Sequence, residues 1–152
     1  MCGEVKMVDI TGKNISIRIA TAEGEIKLKR ETIEKIVKGE VEKGDVISTA
    51  KIAAIMAAKR TPEIIPLCHQ IPLTNVDVEV KVLDDERIKV ETTVKTEAKT
   101  GVEMEAITAT AIALITIWDM VKKYEKDEKG EYPQTEINRI RVTLKSKKEI
   151  SL

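Results

Sequence analysis

The clearest pattern in the chain is a strict alternation of apolar and polar residues near its middle. Valine occupies every second position from Val76 to Val82, and the pattern is repeated by Ile88, Val90, Thr92 and Val94. Successive side chains of a strand point to opposite faces of a sheet, so each run predicts a strand with one buried face. The Asp84-Asp85 pair between them is typical of a turn. These residues predict a β-hairpin.

Weaker alternation predicts strands at both ends of the chain. Near the start, apolar residues alternate at Ile15, Ile17 and Ile19 and again at Ile26 and Leu28. The turn-like Glu23-Gly24 between these groups predicts two separate strands. Near the end, a last strand is marked by Ile140, Val142 and Leu144. Its opposite face is predicted to carry Arg139, Arg141, Thr143 and Lys145.

Other segments have the spacing of helices. A short helix is predicted by Ile33, Ile36 and Val37 and is stopped by Gly39. A second, alanine-rich helix carries Ile52, Ile55 and Met56, with Asp45 or Ser48 as its cap. Thr61-Pro62 predicts a separate short helical turn, because threonine is a good N-cap and proline suits the first helical position. A long helix is predicted from about Gly101 to Tyr124.

The order of elements predicts the fold class. From Glu25 onward the order is strand, helix, strand, strand, helix, strand, which is the ferredoxin-like βαββαβ arrangement of α+β proteins. An antiparallel sheet covered by helices on one face is expected, with an N-terminal strand and helix as an extension. We predict a mobile N-terminal segment (1–14), one catalytic domain (15–146) and a C-terminal tail (147–152).

Composition narrows the class of protein. The 152 residues include 26 basic and 26 acidic side chains, so no overall field attracts nucleic acid or an anionic membrane. The longest uncharged run, 106–118, is too short to span a bilayer and favours a core helix. The two cysteines, Cys2 and Cys68, form no disulfide framework, and no signal peptide is evident. We therefore expect a cytoplasmic protein.

Ionisable residues border the apolar segments, where acid–base chemistry requires them. Asp119 and Lys122 share one face of the long helix; a routine surface ion pair is the alternative. Glu103 and Glu105 lie in its first turn, where the helix dipole alone explains carboxylates. Since positions two apart diverge on a helix, at most one of the two is expected to face a given site.

The only histidine, His69, is held between Pro66 and Pro72, and function and a bland surface role are equally supported for it. Its neighbour Cys68 is better explained as an inert buried cysteine than as a nucleophile. No spacing of cysteine and histidine predicts a metal site.

Phosphate binding is predicted only locally. Lys43 precedes Gly44, where the chain can approach a ligand closely, and Arg141 and Lys145 add positive charge. Neither GxxxxGK[ST] nor GxGxxG is present, so P-loop and Rossmann nucleotide binding are not supported.

Two segments resemble one known family. KGDVISTAKIAAIMAAKRTPEIIPLCHQIPLT and TGVEMEAITATAIALITIWDMVKK, with DMVK sixteen residues after Glu103, are similar to the cyclic pyranopterin monophosphate synthase family, the C protein of molybdenum cofactor biosynthesis. The similarity runs from Met7 to Lys145. The C-terminal KSKKEISL departs from the glycine-rich KSGGKSG of many members.

The resemblance implies a lyase that converts a cyclic dihydro-GTP intermediate to cyclic pyranopterin monophosphate and releases pyrophosphate. It implies a homohexamer, a trimer of dimers, with active sites at subunit interfaces. No resident cofactor is expected for this enzyme. Magnesium that accompanies the triphosphate is the alternative. The implied catalytic residues are Asp119, Lys122 and Lys43. The implied substrate-binding residues are Leu67, Cys68, His69, Glu103, Met104, Glu105 and Lys145, to which the charge pattern adds Arg141.

A second function class fits the same residues. A non-catalytic, nucleotide-binding regulatory oligomer would bind a GTP-like triphosphate without releasing pyrophosphate. A purely structural oligomerisation module is a third reading, against which the intact Lys43, His69, Asp119 and Lys122 argue.

Overall fold

A computed structural model describes residues 2–150 as a four-stranded antiparallel sheet and three helices. In chain order the elements are β1 (Ser16–Lys27), α1 (Arg30–Lys38), α2 (Val46–Ile64), β2 (Leu73–Val82), β3 (Arg87–Ala98), α3 (Glu103–Glu125) and β4 (Glu136–Glu149). The strand order across the sheet is β2-β3-β1-β4. This is the predicted α+β ferredoxin-like fold, and α1 is the helical part of the predicted extension.

The first strand differs from the prediction because β1 is one continuous strand and not two. Gly24 is paired with Val90 inside it, so it does not form a turn. A Cβ at this glycine would lie 2.7 Å from the Leu114 side chain and 2.9 Å from that of Ile140. Glycine is therefore present here because α3 approaches the strand closely, which sequence alone does not distinguish from a turn.

The core lies between the sheet and the helices. Its largest buried apolar side chains come from β1, β3 and α3, and include Ile26, Ile88, Val90, Leu114 and Ile117. Alanines of α2 and α3 are fully buried where these helices meet, which allows close packing: Ala50, Ala54, Ala109 and Ala113. By length and apolar composition α3 would suffice to cross a membrane, but it lies in this core.

The predicted helix start at Thr61-Pro62 is wrong, since α2 continues through both residues to Ile64. Asp45 caps the helix as predicted and accepts a hydrogen bond from the Ser48 amide. Thr61 is buried and donates its hydroxyl to the Ala57 carbonyl. Pro62 removes only one backbone hydrogen bond close to the helix end, and packing of the buried face maintains the helix beyond it.

The last strand is irregular, which changes the faces of its residues. Thr21 and Ala22 are neighbours on β1, yet they pair with Leu144 and Val142, so Thr143 is an extra residue of a bulge. A second irregularity lies around Arg139, whose φ is 57°. As a result Lys145 pairs with Ala20 on the helix-covered face, and Arg141 pairs with Glu23 on the opposite face. The predicted common face of Arg139, Arg141, Thr143 and Lys145 is wrong for this reason.

Two local features set the ends of the described fold. β4 extends to Glu149, so three residues of the predicted tail belong to the strand. Glu125, the last residue of α3, is fully buried and accepts hydrogen bonds from the Lys29 amide and from the hydroxyls of Thr32 and Thr135. It thereby caps the start of α1, where the N-cap residue Lys29 makes no side-chain cap hydrogen bond.

Candidate active site

The predicted site residues gather at the two ends of α3. At the beginning of the helix, a cleft of 720 Å³ is lined by residues of the loop before β2, of α3 and of β4. We call this the start cleft, and its predicted members are Leu67, Cys68, His69, Glu103, Met104, Glu105 and Lys145. At the other end, the end cluster consists of Lys43, Asp119 and Lys122.

Glu103 and Lys145 form an ion pair in the start cleft. The Lys145 Nζ lies 2.7 Å from Glu103 Oε1. Burial opposes ionisation of the Glu103 carboxyl, but the hydrogen bond from Lys145 and the charges of Lys145 and Arg18 outweigh it and lower the pKa. The bulge in β4 brings Lys145 to this face of the sheet, next to the start of α3.

Glu105 is the buried acid of the cleft. Its residue is only 2 % exposed, and its Oε1 has no hydrogen-bond partner within residues 2–150. Burial raises the pKa of Glu105 from its ordinary 4.5 to about 7, and the negative charge of Glu103 adds to this. Near neutral pH this carboxyl therefore exchanges a proton readily, as an acid–base group requires.

The thiol of Cys68 contacts the carboxyl of Glu105. Its Sγ lies 3.8 Å from Glu105 Oε2 and donates to it weakly. Burial, and then the Glu105 charge, raise the pKa of the Cys68 thiol above its ordinary value. A neutral thiol is a poor nucleophile, so the contact favours a role in lining the cleft.

His69 is held by the segment that precedes β1. Its Nε2 lies 2.6 Å from the main-chain carbonyl oxygen of Val8. The ring also lines the start cleft. Sequence reasoning selected His69 but gave no partner for it.

The end cluster is a carboxylate between two ammonium groups. Asp119 Oδ1 lies 2.9 Å from Lys122 Nζ, and Asp119 Oδ2 lies 2.9 Å from Lys43 Nζ. The hydrogen bonds from Lys122 and then from Lys43 lower the pKa of Asp119 to about 2. The same contact raises the pKa of Lys122. The side chains are half exposed, so the cations remain accessible to an anionic ligand.

The turn before α2 brings Lys43 to this cluster. Gly44 has a φ of 108°, which only glycine adopts without strain, and its amide bonds the Val41 carbonyl. Lys43 Nζ also donates to the main-chain carbonyl of Asp119 at 3.1 Å. Lys43 is thus attached to the last turns of α3, 76 positions away in sequence.

Some predicted relations are not observed. Arg141 is on the helix-free face of the sheet, where its Nη2 lies 2.9 Å from Glu23 Oε1, and it joins neither group within one chain. The expectation that only one of Glu103 and Glu105 would face a site is wrong, because the start cleft surrounds the first turn of α3 and both line it.

Sequence reasoning also missed residues beside both groups. Arg18 is buried on β1, and its charge contributes to lowering the pKa of Glu103. An arginine at an inward-facing position of the strand was the sequence feature that could have identified it. Trp118 and Tyr132 line a cavity of 270 Å³ next to Asp119 and Lys122. Their rings contact edge to face, with centroids 5.2 Å apart. Within residues 2–150, no three His, Cys, Asp or Glu side chains are grouped as metal ligands.

The two groups are far apart within one chain. Glu103 and Asp119 are sixteen residues apart on the continuous α3, so a rise of about 1.5 Å per residue separates them by about 24 Å. The helix face between them is partly exposed and mostly apolar, with Met104, Ala111 and Ile115 along it.

Comparison with known proteins gives the family relationship. The model of the MoaC family matches residues 7–148. A protein of Sulfurisphaera tokodaii named "Probable cyclic pyranopterin monophosphate synthase" is 64% identical over 95% of this chain and 95% of its own length. A protein of Sulfolobus acidocaldarius with the same name is 62% identical over 93% of this chain and 98% of its own. One from Methanothermobacter thermautotrophicus, 57% identical over 96% of this chain and 91% of its own, is named an accessory protein of that synthase.

Proposed function

The chain belongs to the MoaC family, and on that premise we propose that it is a cyclic pyranopterin monophosphate synthase of molybdenum cofactor biosynthesis. It is a lyase that converts a cyclic dihydro-GTP intermediate to cyclic pyranopterin monophosphate and releases pyrophosphate. The observation that carries the proposal is the pair of acid–base groups at the two ends of α3, formed by residues that the family resemblance selects.

The reaction requires positive charge at the phosphates and proton transfer at the rings. Departing pyrophosphate gains negative charge, which Lys43, Lys122 and Lys145 are suited to stabilise. Ring opening and closure need groups that give and take protons. Glu105, with a pKa of about 7, is suited to donate one near neutral pH, and His69 is suited to accept one.

Asp119 has a different role in this scheme. Its pKa of about 2 makes it a permanent carboxylate at neutral pH. We propose that it orients Lys43 and Lys122 and keeps Lys122, with which it is paired at 2.9 Å, in its protonated form. Substrate phosphates that displace Asp119 from one lysine would leave the other contact in place.

We propose that the active site is shared between copies of the chain in a homohexamer built as a trimer of dimers. The start cleft of one copy would meet the end cluster of another. The separation of about 24 Å supports this, because a pterin-sized reacting centre contacts both groups only if they come from different chains. The exposed apolar residues Met104 and Ile115 lie on the α3 face that such packing would cover.

Two further expectations belong to this proposal. The chain is proposed to act in the cytoplasm, which suits its two free cysteines. It is proposed to need no resident cofactor. Any magnesium would arrive with the triphosphate, whose oxygens are the hard ligands that magnesium prefers.

A non-catalytic nucleotide-binding oligomer is the competing function, favoured by the relative named an accessory protein. The decisive experiment supplies the purified chain with the cyclic dihydro-GTP intermediate and follows pyrophosphate and the pyranopterin product. A lyase forms pyrophosphate and the pyranopterin at a rate proportional to enzyme concentration. Lys43→Ala should lose this activity, and Lys81→Ala should retain it. Lys81 is a matched control because it pairs with Glu79 at the same 2.9 Å and lines neither the start cleft nor the cavity beside Asp119. Stoichiometric binding without pyrophosphate release would instead establish the competing function.

A further inference from the structure

The segment before β1 is attached to the structure at two points beside the start cleft. The Thr11 carbonyl accepts a hydrogen bond from Lys99 Nζ at 2.9 Å, and the Val8 carbonyl contacts His69 Nε2 at 2.6 Å. Asp9, between them, accepts from the Thr11 amide at 2.8 Å and from its hydroxyl at 2.6 Å. We call residues 7–11 the strap. The Asp9 turn fixes its shape and Lys99 fixes its position.

The strap determines which ring nitrogen of His69 carries hydrogen. A main-chain carbonyl oxygen only accepts hydrogen bonds, so Nε2 must be the donor in this contact. In the neutral ring the remaining nitrogen, Nδ1, then has a free lone pair. Nδ1 makes no hydrogen bond to residues 2–150, and the ring lines the start cleft.

We infer that the strap is a positioning element of the active site: the Val8 carbonyl holds His69 as the Nε2–H tautomer, in an orientation that leaves Nδ1 free to accept a proton from bound substrate. In this role Asp9, Thr11 and Lys99 act on His69 through the strap. The identity of the reaction rests on the proposed function, whereas the hydrogen bond to His69 does not depend on it.

The first experiment detects the hydrogen bond directly. His69 is the only histidine of the chain, so its ring signals are unambiguous in a ¹H–¹⁵N NMR spectrum. The Nε2–H proton should be visible and protected from exchange in the wild-type protein. Lys99→Met and Asp9→Ala should abolish this protection, and Lys95→Met should not. Lys95 is an exposed lysine on β3 with no side-chain hydrogen bond to the described residues. An unprotected Nε2–H in the wild-type protein would overturn the inference whatever reaction the protein catalyses.

The second experiment tests whether the strap acts through His69. Asp9→Ala should lower kcat roughly tenfold with little change in KM, which is typical of losing a partner that orients a histidine. Asp9→Asn keeps an acceptor for Thr11 and should recover most of the loss. In a His69→Asn background, Asp9→Ala should have almost no further effect, because the residue through which it acts is absent. An undiminished tenfold effect in that background would overturn the positioning role.

Discussion

Two glutamates in the first turn of α3 have pKa values displaced in opposite directions, although they are only two residues apart. Glu105 is buried with an unpartnered oxygen, and burial raises its pKa to about 7. Glu103 is also partly buried, but Lys145 at 2.7 Å lowers its pKa. The cleft thus holds one carboxyl that ionises near neutral pH and one whose ionised form Lys145 stabilises, which divides the roles of proton donor and fixed charge between them.

The raised pKa of Glu105 predicts a pH dependence of stability. The pKa of Glu105 is 4.5 in the unfolded chain and about 7 in the folded protein, so the folded protein holds this proton more tightly. The resulting stabilisation is complete below pH 4.5 and is lost as the pH rises to about 7. The Gln side chain of Glu105→Gln cannot ionise, so this variant does not lose that stabilisation. Between pH 4.5 and about 7 its free energy of unfolding should therefore rise relative to that of wild type, by up to about 3 kcal/mol. Urea unfolding at a series of pH values measures the difference. A difference that is constant from pH 4.5 to 7 would show that Glu105 titrates normally.

Because the charged side chains at the end of α3 are about half exposed, we expect substitutions there to reduce catalysis without reducing stability. Asp119→Asn and Lys122→Ala should each reduce pyrophosphate release at least a thousandfold, or about 4 kcal/mol of transition-state stabilisation. Because the side chain of Asp119 is 55% exposed, both variants should unfold within about 0.5 kcal/mol of wild type. Lys123→Ala is the control, since this adjacent lysine pairs with Glu42 instead. Near-normal turnover by either site variant would exclude the end cluster from catalysis.

At the scale of elements, the fold depends on contacts between residues distant in sequence. The end of α3 is joined to the start of α1 by Glu125, and Lys43 is joined to α3 through Asp119. The Thr143 bulge sets which side chains of β4 reach the start cleft. The helices and strands therefore hold the two chemical groups in place at opposite ends of one rigid helix.

Removal of the Glu125 carboxylate should reduce the stability of the fold strongly without affecting the catalytic groups. Glu125→Ala leaves the Lys29 amide and the hydroxyls of Thr32 and Thr135 without their partner inside the protein. The free energy of unfolding should fall by about 3 kcal/mol. Glu128→Ala, an exposed glutamate three residues on, should change it by less than about 0.5 kcal/mol. Chemical denaturation checks both, and equal effects would mean that Glu125 is not a structural cap.

Local pattern predicted those elements whose signal is local. The β2–β3 hairpin was predicted from alternating valines and an Asp-Asp turn, and α3 within two residues from its apolar run. Gly24 and Thr61-Pro62 were misinterpreted because the same residues serve turns and caps in one context and close packing in another. The predicted face of Arg141 was wrong because a bulge exchanges the faces to which the following side chains of the strand point. Whether a bulge forms depends on the partner strand.

The same distinction applies to the site. Lys43 and Asp119 are 76 positions apart, and only the family resemblance, not spacing, brought them together before the structure. The contact between Val8 and His69 uses a main-chain carbonyl, which no residue pattern marks.

At the scale of the whole molecule, one chain holds both halves of the proposed site but holds them apart. α3 is one continuous helix of 23 residues, so its ends lie far apart within a chain. The net charge is zero, and an apolar helix face with Met104 and Ile115 is exposed between the two groups. These features are consistent with association of copies through that face, which would join a start cleft to an end cluster.

The central claim, a site shared between copies, is tested most directly by subunit complementation. Glu103→Ala and Asp119→Asn proteins, each inactive alone, are mixed in equal amounts, allowed to exchange subunits and assayed for pyrophosphate release. If each site takes Glu103 from one copy and Asp119 from another, random assortment leaves about one quarter of the sites intact, and about one quarter of wild-type activity should return. Wild type mixed equally with the Glu103→Ala/Asp119→Asn double variant should fall from one half to one quarter of wild-type activity as subunits exchange, and native mass spectrometry detects the mixed oligomers independently of activity. Single variants that stay inactive although mixed oligomers are detected, with the wild-type control remaining at one half, would contradict the shared site.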